Sequence, residues 1–122
     1  MTLQVYGIPN CGTCKKAVKW LEANAVPYEF VNTKLAPPGI EATRAWVAAI
    51  GNQPLRNTSG RIYRNIHAKK RDSMTDEDWA IAFAAEPMLL KRPIFVRDGV
   101  AVLTGFRAPE TTLRAKLISE SP

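Results

Sequence analysis

Two cysteines, three positions apart, are the residues of this 122-residue chain best suited to chemistry. Cys11 and Cys14 enclose Gly-Thr, and the chain has no other cysteine. A disulfide between them would close a loop too short to remove much entropy from the unfolded chain, so stabilisation explains the pair poorly. Zinc would need four ligands, and His67 is the single histidine that could join them, so we predict no metal site. The pair therefore indicates thiol redox chemistry.

Cys11 lies where a predicted strand gives way to a predicted helix. Residues 3–6 alternate apolar and polar side chains of β-favouring type, and the helix begins near Cys11 or Gly12. A thiolate at a helix N-terminus meets unpaired N–H groups and the positive end of the helix dipole, and both lower its pKa. We therefore predict that Cys11 is the nucleophile.

The neighbours of Cys11 supply further candidate site residues. The backbone N–H groups of Gly12, Thr13 and Cys14 are placed to cradle an anion, and Asn10 is included among the substrate-binding candidates. Cys14 lies one turn after Cys11 and has two interpretations. It either attacks a mixed disulfide on Cys11 or is a buried small residue on the apolar stripe of the helix, in which case an external thiol resolves the intermediate.

The two ends of the chain predict one α/β layer. A second strand at Tyr28–Val31 completes strand, helix and strand within about 30 residues, which is typical of a βαβ unit with parallel strands. Near the other end, Asp98-Gly99 between two β-rich runs predicts a hairpin. Pro109-Glu110 opens a last helix.

The middle of the chain has a helical pattern instead. Helices are predicted at Ile40–Gly51, around Tyr63–Ile66, and from Thr75, which begins a capping-box sequence. We therefore predict a single α/β domain with a thioredoxin-like core (βαβ…ββα) and an inserted helical subdomain. The core comprises residues 1–32 and 87–122, and the insertion comprises residues 33–86.

A proline before the predicted third strand supplies a second candidate cluster. In thioredoxin-like folds a cis-proline at this point lies beside the reactive cysteine, and only X-Pro bonds adopt cis at modest cost. Pro93 is predicted to fill that position, so that Arg92 aims its guanidinium at Cys11, where it could bind an anion or lower the thiol pKa. A surface salt bridge is the alternative for Arg92. Arg107, after the last strand, is a candidate for the same pocket.

The formal net charge of +6 suits an anionic partner. The basic residues are spread along the chain, so a solvated basic surface is the simplest interpretation, while glutathione or an oxyanion fits the charge as well. No nucleic-acid-binding motif accompanies the positive charge, so direct nucleic-acid binding is not expected. The sequence has neither a signal-peptide pattern nor an apolar run near the ~20 residues that cross a membrane. We expect a cytoplasmic monomer that makes no membrane contact.

Five segments in order along the chain resemble the arsenate reductase (ArsC)/Spx family. They are Val5–Ala17, Trp20–Glu22, Asn57–Gly60, Lys91–Ile94 and Leu103–Phe106. The resemblance covers nearly the whole chain. It implies a thioredoxin-like core with a helical insertion, in agreement with the pattern of predicted elements.

The resemblance also implies roles within the site. Arsenate reductases of this type use one cysteine, which matches Cys11, together with glutathione and three arginines around the oxyanion. Arg92 matches one arginine and Arg107 another. Asn57 stands at the position of the third, with Arg56 one residue away, and Asn57 is kept as a substrate-binding candidate.

The family implies three functions. The Asn-Thr-Ser-Gly segment is more similar to a bacterial subgroup suggested to be glutathione-dependent thiol reductases. Spx regulators share the CxxC pair, bind RNA polymerase and use the pair as a redox switch. We interpret the chain as a thiol-disulfide redox protein, a reductase with glutathione or thioredoxin as electron donor and no bound cofactor. An Spx-like regulator that binds RNA polymerase and an arsenate reductase remain alternatives.

Overall fold

A four-stranded sheet organises the computed structural model, which describes residues 2–118. The strands are Leu3–Gly7 (β1), Glu29–Asn32 (β2), Ile94–Arg97 (β3) and Val100–Thr104 (β4). The α-helices are Gly12–Ala23 (α1), Ile40–Ile50 (α2), Arg61–Asn65 (α3), Ala68–Ser73 (α4), Asp76–Ala85 (α5) and Glu110–Leu117 (α6). Short 3₁₀ turns span Gln53–Leu55 and Pro87–Leu89.

The sheet has the order β2-β1-β3-β4 and is mixed. Strands β1 and β2 are parallel and joined through α1, which confirms the predicted βαβ unit. Strand β3 is antiparallel to both β1 and β4. Asp98 and Gly99 join β3 to β4 with φ of 51° and 82°, the two positive values that a type I′ turn requires. The predicted hairpin and the α/β class are therefore confirmed.

The two faces of the sheet are covered by different helices. Because successive strand residues point to opposite faces, Phe95 packs with α1 and α6, while Ile94 and Val96 pack with the helices of the middle segment. The α1/α6 core comprises Leu3, Val5, Ala17, Leu21, Phe95, Leu113 and Leu117. The opposite core includes Trp46, Val47, Trp79, Phe83, Ile94, Val96 and Ala101. The helical segment thus shares a hydrophobic core with the sheet.

Side-chain caps mark the starts of two helices, α4 and α5. Helix α5 begins after Thr75, whose hydroxyl accepts from the N–H of Asp78 while the Asp78 carboxylate accepts from the N–H of Thr75, so the predicted capping box is present. Helix α4 was not predicted. The His67 side chain caps it by accepting from the N–H of Lys69 at 3.2 Å. No helix between residues 2 and 118 is long and apolar enough to cross a bilayer.

Candidate functional site

Cys11 is the N-cap of α1, with the extended backbone that this position needs (φ −88°, ψ 124°). Its side chain is half-buried, and burial by itself raises the thiol pKa. The backbone N–H and the thiol of Cys14, the N–H of Thr13 and the charge of Arg92 outweigh that effect, so the pKa of Cys11 is lowered. The structure thus places Cys11 at a helix N-terminus, in an environment that favours its thiolate.

Cys14 lies one turn further along α1 and is only 1% exposed. Burial, opposed in part by the backbone N–H of Ile8, raises the pKa of Cys14 to about 11, and the nearby Cys11 adds to the rise. The sulfur packs directly on the main chain of β1. A Cβ atom on Gly7 would lie 2.6 Å from the Cys14 Sγ, so this close approach requires glycine.

Arg92 lines the same cleft as Cys11, and the predicted cis-proline, Pro93, follows it in the chain. The Arg92–Pro93 peptide bond is cis, and Pro93 is buried. The Arg92 Nη1 atom donates to the carbonyl of Leu90 at 3.3 Å. Its Nε atom is buried and has no hydrogen-bond partner among residues 2–118. Arg92 therefore brings positive charge near Cys11.

Cys11 opens onto a cleft of about 270 Å³. Its lining residues are Cys11, Thr13, Arg56, Asn57, Thr58, Ser59, Lys91, Arg92, Gly105, Phe106 and Arg107. Four of these residues are cationic. Among residues 2–118, no acidic residue lines the cleft. A thiolate in such surroundings suits a substrate that carries negative charge.

Five predicted site residues meet in this cleft: Cys11, Thr13, Asn57, Arg92 and Arg107. The other four lie outside its lining. Asn10 is exposed in the loop before α1, Gly12 is exposed at the first position of the helix, and Cys14 and Pro93 are buried behind the wall. Their contributions to substrate binding stay predictions.

A short backbone pairing joins the helical segment to the cis-proline segment. The N–H of Asn57 donates to the Leu89 carbonyl at 2.8 Å, and the N–H of Lys91 donates to the Leu55 carbonyl at 2.8 Å. Two segments that lie more than 30 positions apart in the chain are therefore held side by side, and residues of both line the cleft.

Arg56 lines the cleft but is held on the scaffold. Its guanidinium carbon lies 4.0 Å from the centroid of the Trp79 ring, and its Nε donates to Asn52 Oδ1 at 3.0 Å. The Asn57 amide makes a 3.5 Å contact with the Met88 carbonyl. This wall of the cleft therefore carries the side-chain amide of Asn57 and an Arg56 guanidinium that is held against Trp79.

Besides Arg56, sequence reasoning did not assign five lining residues to the site: Thr58, Ser59, Lys91, Gly105 and Phe106. Each lies within two positions of a predicted site residue in the segments that carry the family resemblance. The signal that could have found them was the composition of those whole segments, which are polar or glycine-containing loops next to predicted strands or helices.

Comparisons with known proteins agree with this geometry. The ArsC family model matches residues 6–113. YusI of Bacillus subtilis, an uncharacterized protein, is 34% identical over 110 residues, which cover 88% of this chain and 92% of YusI. The crystal structure of a possible arsenate reductase from Streptococcus mutans UA159 matches with a TM-score of 0.80 and 32% identity, over 91% of this chain and 96% of that one. The global transcriptional regulator Spx of Enterococcus faecalis is 26% identical, over 88% of this chain and 82% of its own length. The chain belongs to the ArsC family, whose thioredoxin-like fold it shares.

Proposed function

We propose that the protein is a thiol-disulfide reductase that acts on mixed disulfides of glutathione, with Cys11 as nucleophile and glutathione as electron donor. One observation carries the proposal. A cysteine whose pKa is lowered at a helix N-terminus opens onto a cleft lined by four cationic side chains and, within residues 2–118, by no acidic one. The carboxylates of glutathione fit that charge.

The reaction consists of two thiol-disulfide exchanges. The Cys11 thiolate attacks the glutathionyl sulfur of a mixed disulfide, so that a Cys11–glutathione disulfide forms and the other half leaves as a thiolate that takes a proton from water. A second glutathione thiolate then attacks this disulfide. Glutathione disulfide leaves and the Cys11 thiolate is restored. In sum, one glutathione thiol is oxidised and the substrate sulfur is reduced, while the glutathionyl half of the substrate ends in glutathione disulfide.

The surroundings of Cys14 support an external thiol for the second step. Its side chain is 1% exposed and its pKa is raised to about 11, so little thiolate is present at neutral pH. The nearby Cys14 thiol contributes to the lowered pKa of Cys11. Cys14 thus serves the reaction by stabilising the Cys11 thiolate.

The experiment is a steady-state assay with the mixed disulfide of glutathione and 2-mercaptoethanol, coupled to glutathione reductase and NADPH. Turnover is expected from the wild-type protein and from Cys14→Ser, and none from Cys11→Ser. No turnover by the wild type would refute the proposal. So would equal activity of wild type and Cys11→Ser.

The same assay with arsenate addresses one alternative. The third family arginine is replaced by Asn57, and Arg56 is held against Trp79, so fewer guanidinium groups are free for an oxyanion. Glutathione-dependent reduction of arsenate faster than that of the mixed disulfide would favour the arsenate reductase.

An Spx-like regulator is a second candidate. The effect of each thiol on the pKa of the other and the 26% identity to Spx over 88% of the chain favour it. Its test is binding of the purified protein to RNA polymerase before and after oxidation of Cys11 and Cys14. Affinity that changes with oxidation, without turnover in the disulfide assay, would favour the regulator.

A further inference from the structure

The four cationic residues of the cleft are not equally available to a ligand. The Arg56 guanidinium lies over the Trp79 ring at 4.0 Å and is held there. Arg92 lies next to the thiol, where its charge contributes to the lowered pKa of Cys11. Lys91 and Arg107 remain to bind charges of a ligand in the cleft.

Lys91 is held along the cleft by two contacts. Its backbone N–H donates to the Leu55 carbonyl at 2.8 Å, which fixes the base of the residue. Its side chain lies directly on Gly105, because a Cβ atom at Gly105 would be 2.9 Å from Cε and 3.6 Å from Nζ of Lys91. Gly105 has a φ of 71°, so its backbone conformation also favours glycine. Any side chain at position 105 would displace the lysine.

The Lys91 ammonium has no carboxylate partner in the chain from residue 2 to residue 118. The two ion pairs found there join Arg44 to Glu77 and Arg114 to Glu110. Lys91 is exposed to solvent, so an ion pair with a ligand would be of moderate strength. Its side chain already lies against Gly105 in the lining of the cleft, so little rearrangement is needed for the ammonium to meet a ligand there.

We infer that Lys91 is the specificity residue of the cleft, where its ammonium binds a carboxylate of a small thiol or disulfide at a distance from the reacting sulfur. The inference rests on the proposed reductase function and names the ligand feature that the cleft selects. Gly105 is the positioning residue for Lys91. Arg92 acts at the sulfur, whereas Lys91 acts on binding, so its loss changes the half-saturation concentration and leaves the limiting rate unchanged.

The test compares two disulfides with the same leaving group in single-turnover reactions of the reduced protein. One is the mixed disulfide of glutathione and 2-mercaptoethanol, which carries carboxylates, and the other is the neutral bis(2-hydroxyethyl) disulfide. Lys91→Met is expected to raise the half-saturation concentration roughly three- to tenfold for the charged disulfide only. Lys91→Arg is expected to restore it within about twofold, because the charge is kept.

Lys116→Met is the matched control. The Lys116 carbonyl accepts from Arg97 at 3.1 Å, and Arg97 pairs with Leu3 at the start of β1, the strand end opposite to Cys11. Gly105→Ala is expected to raise the half-saturation concentration as Lys91→Met does, with no further rise in the double variant. If Gly105→Ala does not fold, as judged by circular dichroism, the results for Lys91→Met and Lys91→Arg test the role of Lys91 without it.

Two results would overturn the inference: an unchanged half-saturation concentration in Lys91→Met, or an equal rise for both disulfides. If the wild type reacts with neither disulfide, the reductase proposal fails, but Lys91 can still be tested by calorimetry. S-methylglutathione should then bind Cys11→Ser roughly three- to tenfold more tightly than Cys11→Ser/Lys91→Met. Equal affinities would overturn the role of Lys91 independently of turnover.

Discussion

The two thiols of the CxxC pair are one helical turn apart and have opposite environments. Cys11, at the N-terminus of α1, is half-buried, faces the cationic cleft and has a lowered pKa. Cys14, on the inner face of the same turn, packs on Gly7 and has a raised pKa. Two cysteines one helical turn apart therefore need not be equivalent. Orientation toward the cleft or toward the sheet decides which one can react.

The largest expected difference between the thiols is in turnover. Cys11→Ser should lower reductase activity by about 10³-fold or more, because no other group can form the covalent intermediate. Cys14→Ser should keep activity within about threefold, because the serine hydroxyl can still donate to the Cys11 thiolate. The coupled glutathione assay measures both. A loss of more than tenfold in Cys14→Ser would show that Cys14 attacks the intermediate.

The next difference is in the pH dependence of alkylation by iodoacetamide. The thiolate fraction rises with pH, so Cys11, measured in Cys14→Ser, should reach its plateau at a lower pH than an ordinary cysteine. The alkylation rate of Cys14, measured in Cys11→Ser, should go on rising to a higher pH than that of an ordinary cysteine, because its burial remains. At pH 7 the two rates should differ by roughly 100-fold. Coincident profiles would contradict the assigned environments.

A smaller effect concerns stability on the buried side. Gly7→Ala places a methyl group 2.6 Å from the Cys14 sulfur, and we expect the free energy of unfolding to fall by roughly 1–3 kcal/mol. In a Cys14→Ala background, Gly7→Ala should lower the free energy of unfolding much less, because the sulfur atom that the new methyl group would displace is absent. Urea denaturation of the four proteins in this cycle gives the coupling. Equal costs in both backgrounds would mean that Cys14 does not set the requirement for glycine.

The smallest expected effect concerns the exposed side. Arg92→Met removes a positive charge that lowers the pKa of Cys11, so that pKa should rise and alkylation at pH 7 should slow by roughly three- to tenfold. At a pH above both pKa values the rates should converge, which separates a change in ionisation from a change in access. Lys116→Met is the control and should leave the profile unchanged. An unchanged alkylation profile in Arg92→Met would show that Arg92 does not affect the ionisation of Cys11.

Much of the fold follows from local sequence rules. Asp98-Gly99 predicts its hairpin because few residue pairs accept two positive φ angles, and Thr75 predicts a helix start because its hydroxyl satisfies a free N–H. The position of Cys11 between a strand and a helix was also predictable, because β-favouring residues precede it and a helical apolar pattern follows it. Helix α4, which is six residues long and capped by His67, has no comparably strong signal.

The sequence by itself determined which groups are present: a CxxC pair at a helix N-terminus, a proline before β3, and basic residues near both. Tertiary structure alone decided how they are used. Arg56 stacks on Trp79, and Lys91 lies on Gly105, because segments far apart in the chain pack against each other. Local propensity acts over a few residues, whereas burial and charge at Cys11 depend on every segment that meets in the cleft.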